Sequence, residues 1–234
     1  MPMPSSLRSR RAGVLWLLAT LTGGTALMYV RSHVYFPGDA AATSGAILSD
    51  ALRFRFAIVG ALLSQLAMLF LALELYRVFA PVERVLARVL LISMVISVAL
   101  ACANQLPNLV ALLWLGPEPY LQAFPQGQRE TLVLMLLRVQ NGVGQGLLEI
   151  FWTPFYVAIG LLVLRTRALP RVLGVLLVLM GTGFAVNLLD KLLLPQFYPA
   201  FFTQLAMGLG ALGGIPTMLW LLVRGLAPPL PASN

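Results

Sequence analysis

The sequence predicts an all-α integral membrane protein, a bundle of six transmembrane helices with both termini in the cytoplasm. Three observations lead to this fold class. Apolar residues make up 59% of the chain and charged residues only 10%, far outside the usual range of soluble domains. Six apolar runs are each long enough to cross a hydrocarbon core of about 30 Å as a helix. Basic residues concentrate in alternate connections between these runs. The solvent for most of the chain is therefore lipid.

Each predicted span offers roughly 20 apolar residues. The spans cover residues 12–30, 54–79, 89–113, 143–164, 172–194 and 200–223. The first run follows an arginine pair, as a signal peptide would, but it is too long for a cleaved apolar region, so we expect a retained first helix. Residues 1–225 are predicted to form one membrane domain. The proline-rich residues 226–234 are predicted to be a disordered cytoplasmic tail.

The orientation follows from the arginines. One set of connections and ends holds ten arginines, while the other set mixes basic and acidic residues, so the positive-inside rule places the first set in the cytoplasm. The first set is Arg8, Arg10, Arg11, Arg77, Arg84, Arg88, Arg165, Arg167, Arg171 and Arg224. A cell membrane, in bacteria the inner membrane, is the predicted location, with lipid as the surrounding partner.

The two external connections are the long ones, and each is predicted to contain a helix. In the first, Asp39 precedes strong helix formers, which favours an N-cap over a catalytic carboxylate. Residues 126–141 in the second combine polar side chains with leucines, which is typical of a helix at the membrane interface. At the cytoplasmic end of the second span, Glu74 and Arg77 are three residues apart and are predicted to form a local ion pair.

A polar stripe near the start of the fourth span is the main functional signal. At 100° per residue its members fall within an arc of about 80° on a regular helix, and two aromatic residues, Trp152 and Tyr156, continue the same face. The stripe is Arg138, Asn141, Gln145 and Glu149. A pocket that is polar above and aromatic below suits a small amphiphile.

Other polar residues are expected at a similar depth in the outer half of the bilayer. They are Arg55, Asn104, Asn187 and Asp190 on three other spans. Such groups normally face the bundle interior or water, because lipid exposure costs too much. Amides can equally serve only to hold helices together. An ionised Glu149 needs a partner such as Arg138, Arg55 or Lys191, or else must take up a proton.

Composition also excludes several classes of function. Cys102 is the only cysteine and His33 the only histidine, so we predict no metal site and no cofactor. The net charge of +8 lies in short clusters between apolar runs, which argues against nucleic acid binding. No catalytic set is predicted. The leading hypothesis is a protein that binds or moves a small amphiphile or lipid; the alternatives are an intramembrane enzyme using Glu149 and a structural or assembly subunit. A homo-oligomer is compatible with all three.

Short motifs spread along the chain identify a resemblance. They are RAGVLWL from Arg11, GDAAAT from Gly38 to Thr43, LYR from Leu75 with Pro81-Val82, LPRVLG from Leu169 to Gly174, and LWLL from Leu219. In this order the chain resembles the bacterial multi-pass membrane proteins grouped as domain of unknown function 4386, from Arg11 to Gly225. The resemblance implies a helical integral membrane protein and assigns no activity. Where relatives tend to carry a histidine three residues before a glycine, this chain has Asn141 before Gly144, which disfavours a titrating imidazole there.

Overall fold

The apolar runs form helices in a computed structural model, which describes residues 5–193 and 200–226. The described residues contain no strand. The α-helices are α1 (Ser5–Tyr29), α2 (Ala40–Ser49), α3 (Ala51–Phe79), α4 (Arg84–Ala103), α5 (Leu106–Trp114), α6 (Gln126–Val139), α7 (Gln145–Thr166), α8 (Arg171–Leu193) and α9 (Ala200–Val223). Two π-helical turns, Val30–Val34 and Gln140–Gly144, and one 3₁₀ turn, Pro119–Ala123, complete the helical structure. The all-α fold class is confirmed.

Five helical segments are long and apolar enough to cross a membrane. They are Arg10–Val34, Ala51–Phe79, Arg84–Trp114, Gln126–Thr166 and Arg171–Leu189. The first five predicted spans overlap these segments, although residue 194 lies outside the described residues. The sixth predicted span has the same bounds as α9. The apolar helix described within α9, Leu212–Val223, is too short to cross a membrane by itself, so six crossings stay a prediction. The predicted tail lies outside the described residues except for Leu226.

A helix, α6, lies in the second long connection, where an interfacial helix was predicted. It continues through the π-helical turn Gln140–Gly144 into α7. The combined helical run has 41 residues, more than one crossing of the hydrocarbon core needs. The predicted start of the fourth span at residue 143 lies two residues before the start of α7, and the interfacial position of α6 stays a prediction.

Two local predictions are confirmed. The Asp39 side chain accepts a hydrogen bond from the Ala42 backbone N–H at 2.8 Å and so caps α2. The preceding turn uses Gly38 at φ 86°, a conformation that glycine adopts without steric cost. At the end of α3, Arg77 donates to Glu74 at 2.8 Å. Both interactions join residues three apart, which makes them readable from sequence.

The described residues group into two compact units, each with its own core. Unit 1 contains residues 5–18, 67–99, 146–193 and 200–226, and unit 2 contains residues 19–66 and 100–145. Phe79, Phe155 and Leu177 are fully buried in the core of unit 1. Phe54 and Leu137 are fully buried in the core of unit 2.

Two contacts in unit 1 join segments far apart in the sequence. Arg165, at the end of α7, donates to Glu83, in the turn before α4, at 2.8 Å. Arg10 donates to the backbone carbonyl of Val223 at 3.4 Å. The first contact brings two connections together, and the second brings the start of α1 to the end of α9. All four segments were predicted to be cytoplasmic.

Arg165→Ala is expected to have a small effect on stability. The Arg165 and Glu83 side chains are 52% and 20% exposed, so water screens much of their attraction. We expect the free energy of unfolding to fall by about 0.2–1 kcal/mol, and by less at high salt. Thermal unfolding of the purified protein at low and high salt measures this, with Arg88→Ala, an exposed arginine on α4, as the control. A loss that does not change with salt would contradict an electrostatic origin.

Candidate functional site

The structure divides the ten predicted site residues between the two units. Unit 1 holds Glu149, Trp152, Tyr156, Asn187 and Asp190, and unit 2 holds Arg55, Asn104, Arg138, Asn141 and Gln145. The side chain of Asp190 lies outside the described part of the chain. The polar stripe thus contributes to both units.

In unit 1, two helix faces come together. Glu149, Trp152 and Tyr156 follow one another on α7 at spacings of three and four residues and share a face. Phe184 and Asn187 are three residues apart on α8 and share another. Side-chain contacts join Glu149 to Asn187, and they join both α7 rings to Phe184. We call these five residues the carboxylate site.

The polar end of the carboxylate site is a buried hydrogen-bonded pair. Asn187 Nδ2 donates to Glu149 Oε1 at 2.8 Å. Glu149 is only 4% exposed and Asn187 6%. A buried carboxyl group is costly without hydrogen bonds, and this bond offsets part of that cost. The structure therefore brings together two predicted site residues that lie 38 positions apart in the chain.

Three aromatic rings form the apolar end of the site. The Tyr156 and Phe184 rings stack with centroids 5.7 Å apart and an interplanar angle of 27°. Trp152 and Phe184 pack edge to face, with their ring centroids 5.2 Å apart. The ring of Trp16 in α1 lies next to the Tyr156 ring in a tilted arrangement, with the centroids 6.3 Å apart. Phe184 was missed in the sequence, although its spacing from Asn187 was a usable signal.

Glycines allow α7 and α8 to approach closely beside the rings. A Cβ on Gly181 would lie 2.9 Å from the backbone oxygen of Thr153. A Cβ on Gly160 would lie 2.6 Å from the backbone oxygen of Gly174. Neither position has room for a side chain, since real Cβ atoms essentially never come so close. Main-chain contact therefore sets the spacing of the helices that carry the carboxylate site.

In unit 2, the π-helical turn changes the expected polar stripe. A π-helical turn, with i→i+5 hydrogen bonds, holds more residues than an α-helical turn. The angular positions calculated for the stripe at 100° per residue therefore do not apply through Gln140–Gly144. Arg138 is exposed, Gln140 is buried, and Asn141 and Gln145 are half-buried. Asn141 Nδ2 donates to its own helix, to the Leu137 carbonyl at 2.9 Å. Buried Gln140, absent from the prediction, therefore takes the interior position.

A helix break lies against this turn. The third predicted span is interrupted after Ala103, where Asn104 and Gln105 form a turn before α5. The reason is Pro107, which has no N–H to donate to the Ala103 carbonyl. Asn104 Nδ2 donates to the backbone oxygen of Gln140 at 3.2 Å, and Asn104 Oδ1 packs against Gly144.

Asn108 completes a group of amides at the break. Its Nδ2 donates to Gln105 Oε1 at 2.9 Å. We call Asn104, Gln105, Asn108 and Gln140 the amide cluster. Asn108 is buried, whereas Arg55, predicted at the same depth, is exposed. Unit 2 thus gathers neutral amides and leaves its two predicted arginines on the surface.

The two sites differ in chemistry. The carboxylate site offers a carboxyl group, an amide and aromatic rings, and the amide cluster offers neutral oxygen and nitrogen atoms beside irregular backbone. Among the described residues, no group of three or more His, Cys, Asp or Glu side chains could hold a metal ion. Cys102 is exposed and forms no disulfide.

Comparison with known proteins agrees with the membrane fold. A family model described as "Domain of unknown function (DUF4386)" matches residues 11–225, nearly the whole chain. No curated protein and no solved structure matches the chain. The match covers the same stretch as the resemblance found in the motifs, and the apolar helices agree with a multi-pass membrane protein. The chain belongs to the DUF4386 family.

Proposed function

We propose that this protein binds a small amphiphile with a cationic head group at the carboxylate site. The observation that carries the proposal is the buried Glu149–Asn187 hydrogen bond directly beside the stacked rings of Tyr156 and Phe184. Intramembrane carboxyl groups are costly, and where they occur they commonly mark a binding site or a proton path. The arrangement offers one polar end and one apolar end to a single ligand.

The chemistry of the site favours a positive charge on the ligand. Glu149 supplies a carboxyl group, and Trp152, Tyr156 and Phe184 supply ring faces and edges on the same side of α7 and α8. Aromatic rings attract organic ammonium groups through their electron-rich faces, by roughly 0.5–2 kcal/mol each. A carboxylate adds a charge-assisted contact. An ammonium amphiphile can use both, whereas an anionic one would meet repulsion.

The flanking surface suits the apolar chain of such a ligand. Ile150 follows Glu149 and is 42% exposed, and Val186 precedes Asn187 and is 49% exposed. In a membrane protein, exposed apolar side chains on spanning helices face lipid. An amphiphile already dissolved in the bilayer could therefore reach the site laterally, with its chain left among the lipids.

The proposed topology has six spans, both termini in the cytoplasm and the carboxylate site in the outer half of a bacterial inner membrane. The arginine distribution supports this orientation. The contacts of Arg165 with Glu83 and of Arg10 with Val223 support it further, since each joins two segments assigned to the same side. In this topology α6 lies at or beyond the outer interface, and the protein works as a single membrane domain.

Glu149→Gln tests the binding proposal, because it keeps the shape of the side chain and removes its charge. The probe is a single-chain trimethylammonium amphiphile brominated in its chain, added to the protein in phosphatidylcholine nanodiscs. Bromine quenches the fluorescence of nearby tryptophans, so binding is measured as a loss of fluorescence. Comparison with Trp152→Phe isolates the part of this loss that comes from Trp152. We expect Glu149→Gln to weaken binding at least about tenfold, equivalent to about 1.4 kcal/mol.

Two controls keep this test specific. Glu74→Gln removes a carboxylate at the end of α3 in unit 1, where Glu74 pairs with Arg77 at 2.8 Å, and should leave binding unchanged. A brominated alkyl sulfate of the same chain length should bind the wild type weakly. If Glu149→Gln binds the ammonium probe as well as the wild type and only unfolds at lower temperature, the carboxylate site is a packing device and the proposal fails.

A further inference from the structure

Two oxygen atoms of the amide cluster are buried without a hydrogen-bond partner among the described residues. They are Asn108 Oδ1 and Gln140 Oε1. Asn108 is 2% exposed and Gln140 7%, so neither oxygen reaches bulk water. Native proteins satisfy nearly all such acceptors, and each exception calls for a specific explanation, such as an ion or water between them. Two of them within one small cluster indicate a shared ligand.

Hydrogen bonds and packing bring together the segments that carry these two side chains. Asn104 bonds the Gln140 backbone at one end of the α5–α6 contact, and Ala111 packs in the same apolar cluster as Val133 and Leu137 at the other. Asn108 lies on α5 between Asn104 and Ala111 in the sequence, and its side chain bonds Gln105, the residue after Asn104. Both side chains with an unpartnered oxygen therefore belong to residues tied to the turn at Asn104 and Gln105.

Irregular backbone adds further oxygen atoms at this point. Pro107 leaves the Ala103 carbonyl without its usual helical donor. The π-helical turn Gln140–Gly144 also departs from the regular hydrogen-bond pattern, and Gly144 leaves space that Asn104 Oδ1 occupies. In membrane proteins such backbone is tolerated where it is buried in protein or lines a site, and carbonyls released by helix breaks are known ligands of sodium ions.

The charge of the cluster selects the kind of ligand. Its four side chains are neutral amides, and Arg138, two residues before Gln140, is exposed rather than directed inward. Oxygen atoms are the ligands of hard cations, and divalent ions usually need carboxylates among them. Neutral carbonyl oxygens instead suit monovalent alkali cations. We propose that the amide cluster binds a single sodium or potassium ion through Asn108 Oδ1, Gln140 Oε1 and nearby backbone carbonyls.

Thermal unfolding in controlled salt tests the proposal. The detergent-purified protein is titrated with NaCl, and separately with KCl, while N-methyl-D-glucamine chloride, whose cation lacks the trimethylammonium group, holds the ionic strength constant. A ligand that binds only the folded state raises the unfolding temperature in a saturable way. We expect such a rise for at least one of the two ions. Unfolding temperatures that are the same in sodium, potassium and N-methyl-D-glucamine would overturn the proposal.

Substitutions locate the ion. Asn108→Ala should raise the half-saturating salt concentration at least about tenfold, because it removes one ligand oxygen. Gln140→Glu should lower it by about tenfold, because it adds a negative charge to the same position. The second variant keeps the test decisive if the first fails to fold, since water or a neutral ligand in the site would not bind more tightly beside a carboxylate.

Ser97→Ala is the matched control. Ser97 Oγ is also buried without a hydrogen-bond partner among the described residues, but it belongs to α4 in unit 1. This variant should keep the wild-type dependence on sodium or potassium. A Gln140→Glu variant with unchanged half-saturation, or a Ser97→Ala variant that loses the dependence, would place the ion elsewhere and overturn the assignment.

Discussion

Gly160→Ala is expected to destabilise the protein strongly for a single added methyl group. The new Cβ would lie 2.6 Å from the Gly174 backbone oxygen and 2.8 Å from the Val178 backbone nitrogen. Backbone atoms cannot rotate away, so α7 and α8 must separate. We expect a net loss of about 2 kcal/mol in the free energy of unfolding, even after the gain of about 1 kcal/mol in helix propensity. Thermal unfolding or titration with a denaturing detergent measures it.

Gly24→Ala is the control for this experiment. Gly24 also lies inside a helix, α1, but a Cβ there would meet no heavy atom within 4 Å. With helix propensity as the main remaining effect, the substitution should be neutral or stabilising by up to about 1 kcal/mol. If the two variants unfold alike, the close approach of α7 and α8 does not contribute to stability.

Asn187→Leu is expected to have the second large effect. The substitution keeps the side-chain size and removes the donor at 2.8 Å from Glu149 Oε1. Because Glu149 is buried, the lost hydrogen bond is not replaced by bulk water. Hydrogen bonds to charged groups contribute roughly 1.5–3 kcal/mol, so we expect a loss of about 2 kcal/mol. The same unfolding measurements apply.

A double-mutant cycle with Glu149→Gln assigns this loss to the pair. If Asn187 acts through Glu149, the two substitutions together should cost less than their sum by about 1 kcal/mol. Thr182→Val serves as a control on the same helix, because its exposed hydroxyl donates to the local Leu179 carbonyl, at 2.9 Å. Strict additivity of Glu149→Gln and Asn187→Leu would show that the hydrogen bond contributes little.

The features that could be predicted from sequence are those that depend on local properties. Hydrophobic length gave the helices that can span a membrane, because a long apolar run has few other stable arrangements in lipid. The Asp39 cap and the Glu74–Arg77 pair each join residues three apart. The alignment of Glu149 with Trp152 and Tyr156 followed from helical periodicity, which holds along α7.

The features that could not be predicted depend on contacts between distant segments. The π-helical turn interrupts a pattern that was calculated for a regular helix, and it contacts Asn104, 36 residues before Gln140. Nothing in the local sequence marks Gln140 as the buried residue and Arg138 as the exposed one. Likewise, charge alone led us to expect a cationic partner or a proton for Glu149, and the amide that the pairing of α7 with α8 adds was not marked in the sequence.

The glycine contacts between α7 and α8 also bear on how precisely the carboxylate site is held. Side chains change rotamer within nanoseconds, and a helix pair separated by long side chains can shift with them. At Gly160 and Gly181 the neighbouring helix is met by main-chain atoms, which have no rotamers to change. The separation between the helices that carry Glu149 and Asn187 should therefore fluctuate little. A ligand binding there would lose little of its binding energy to ordering the protein around it.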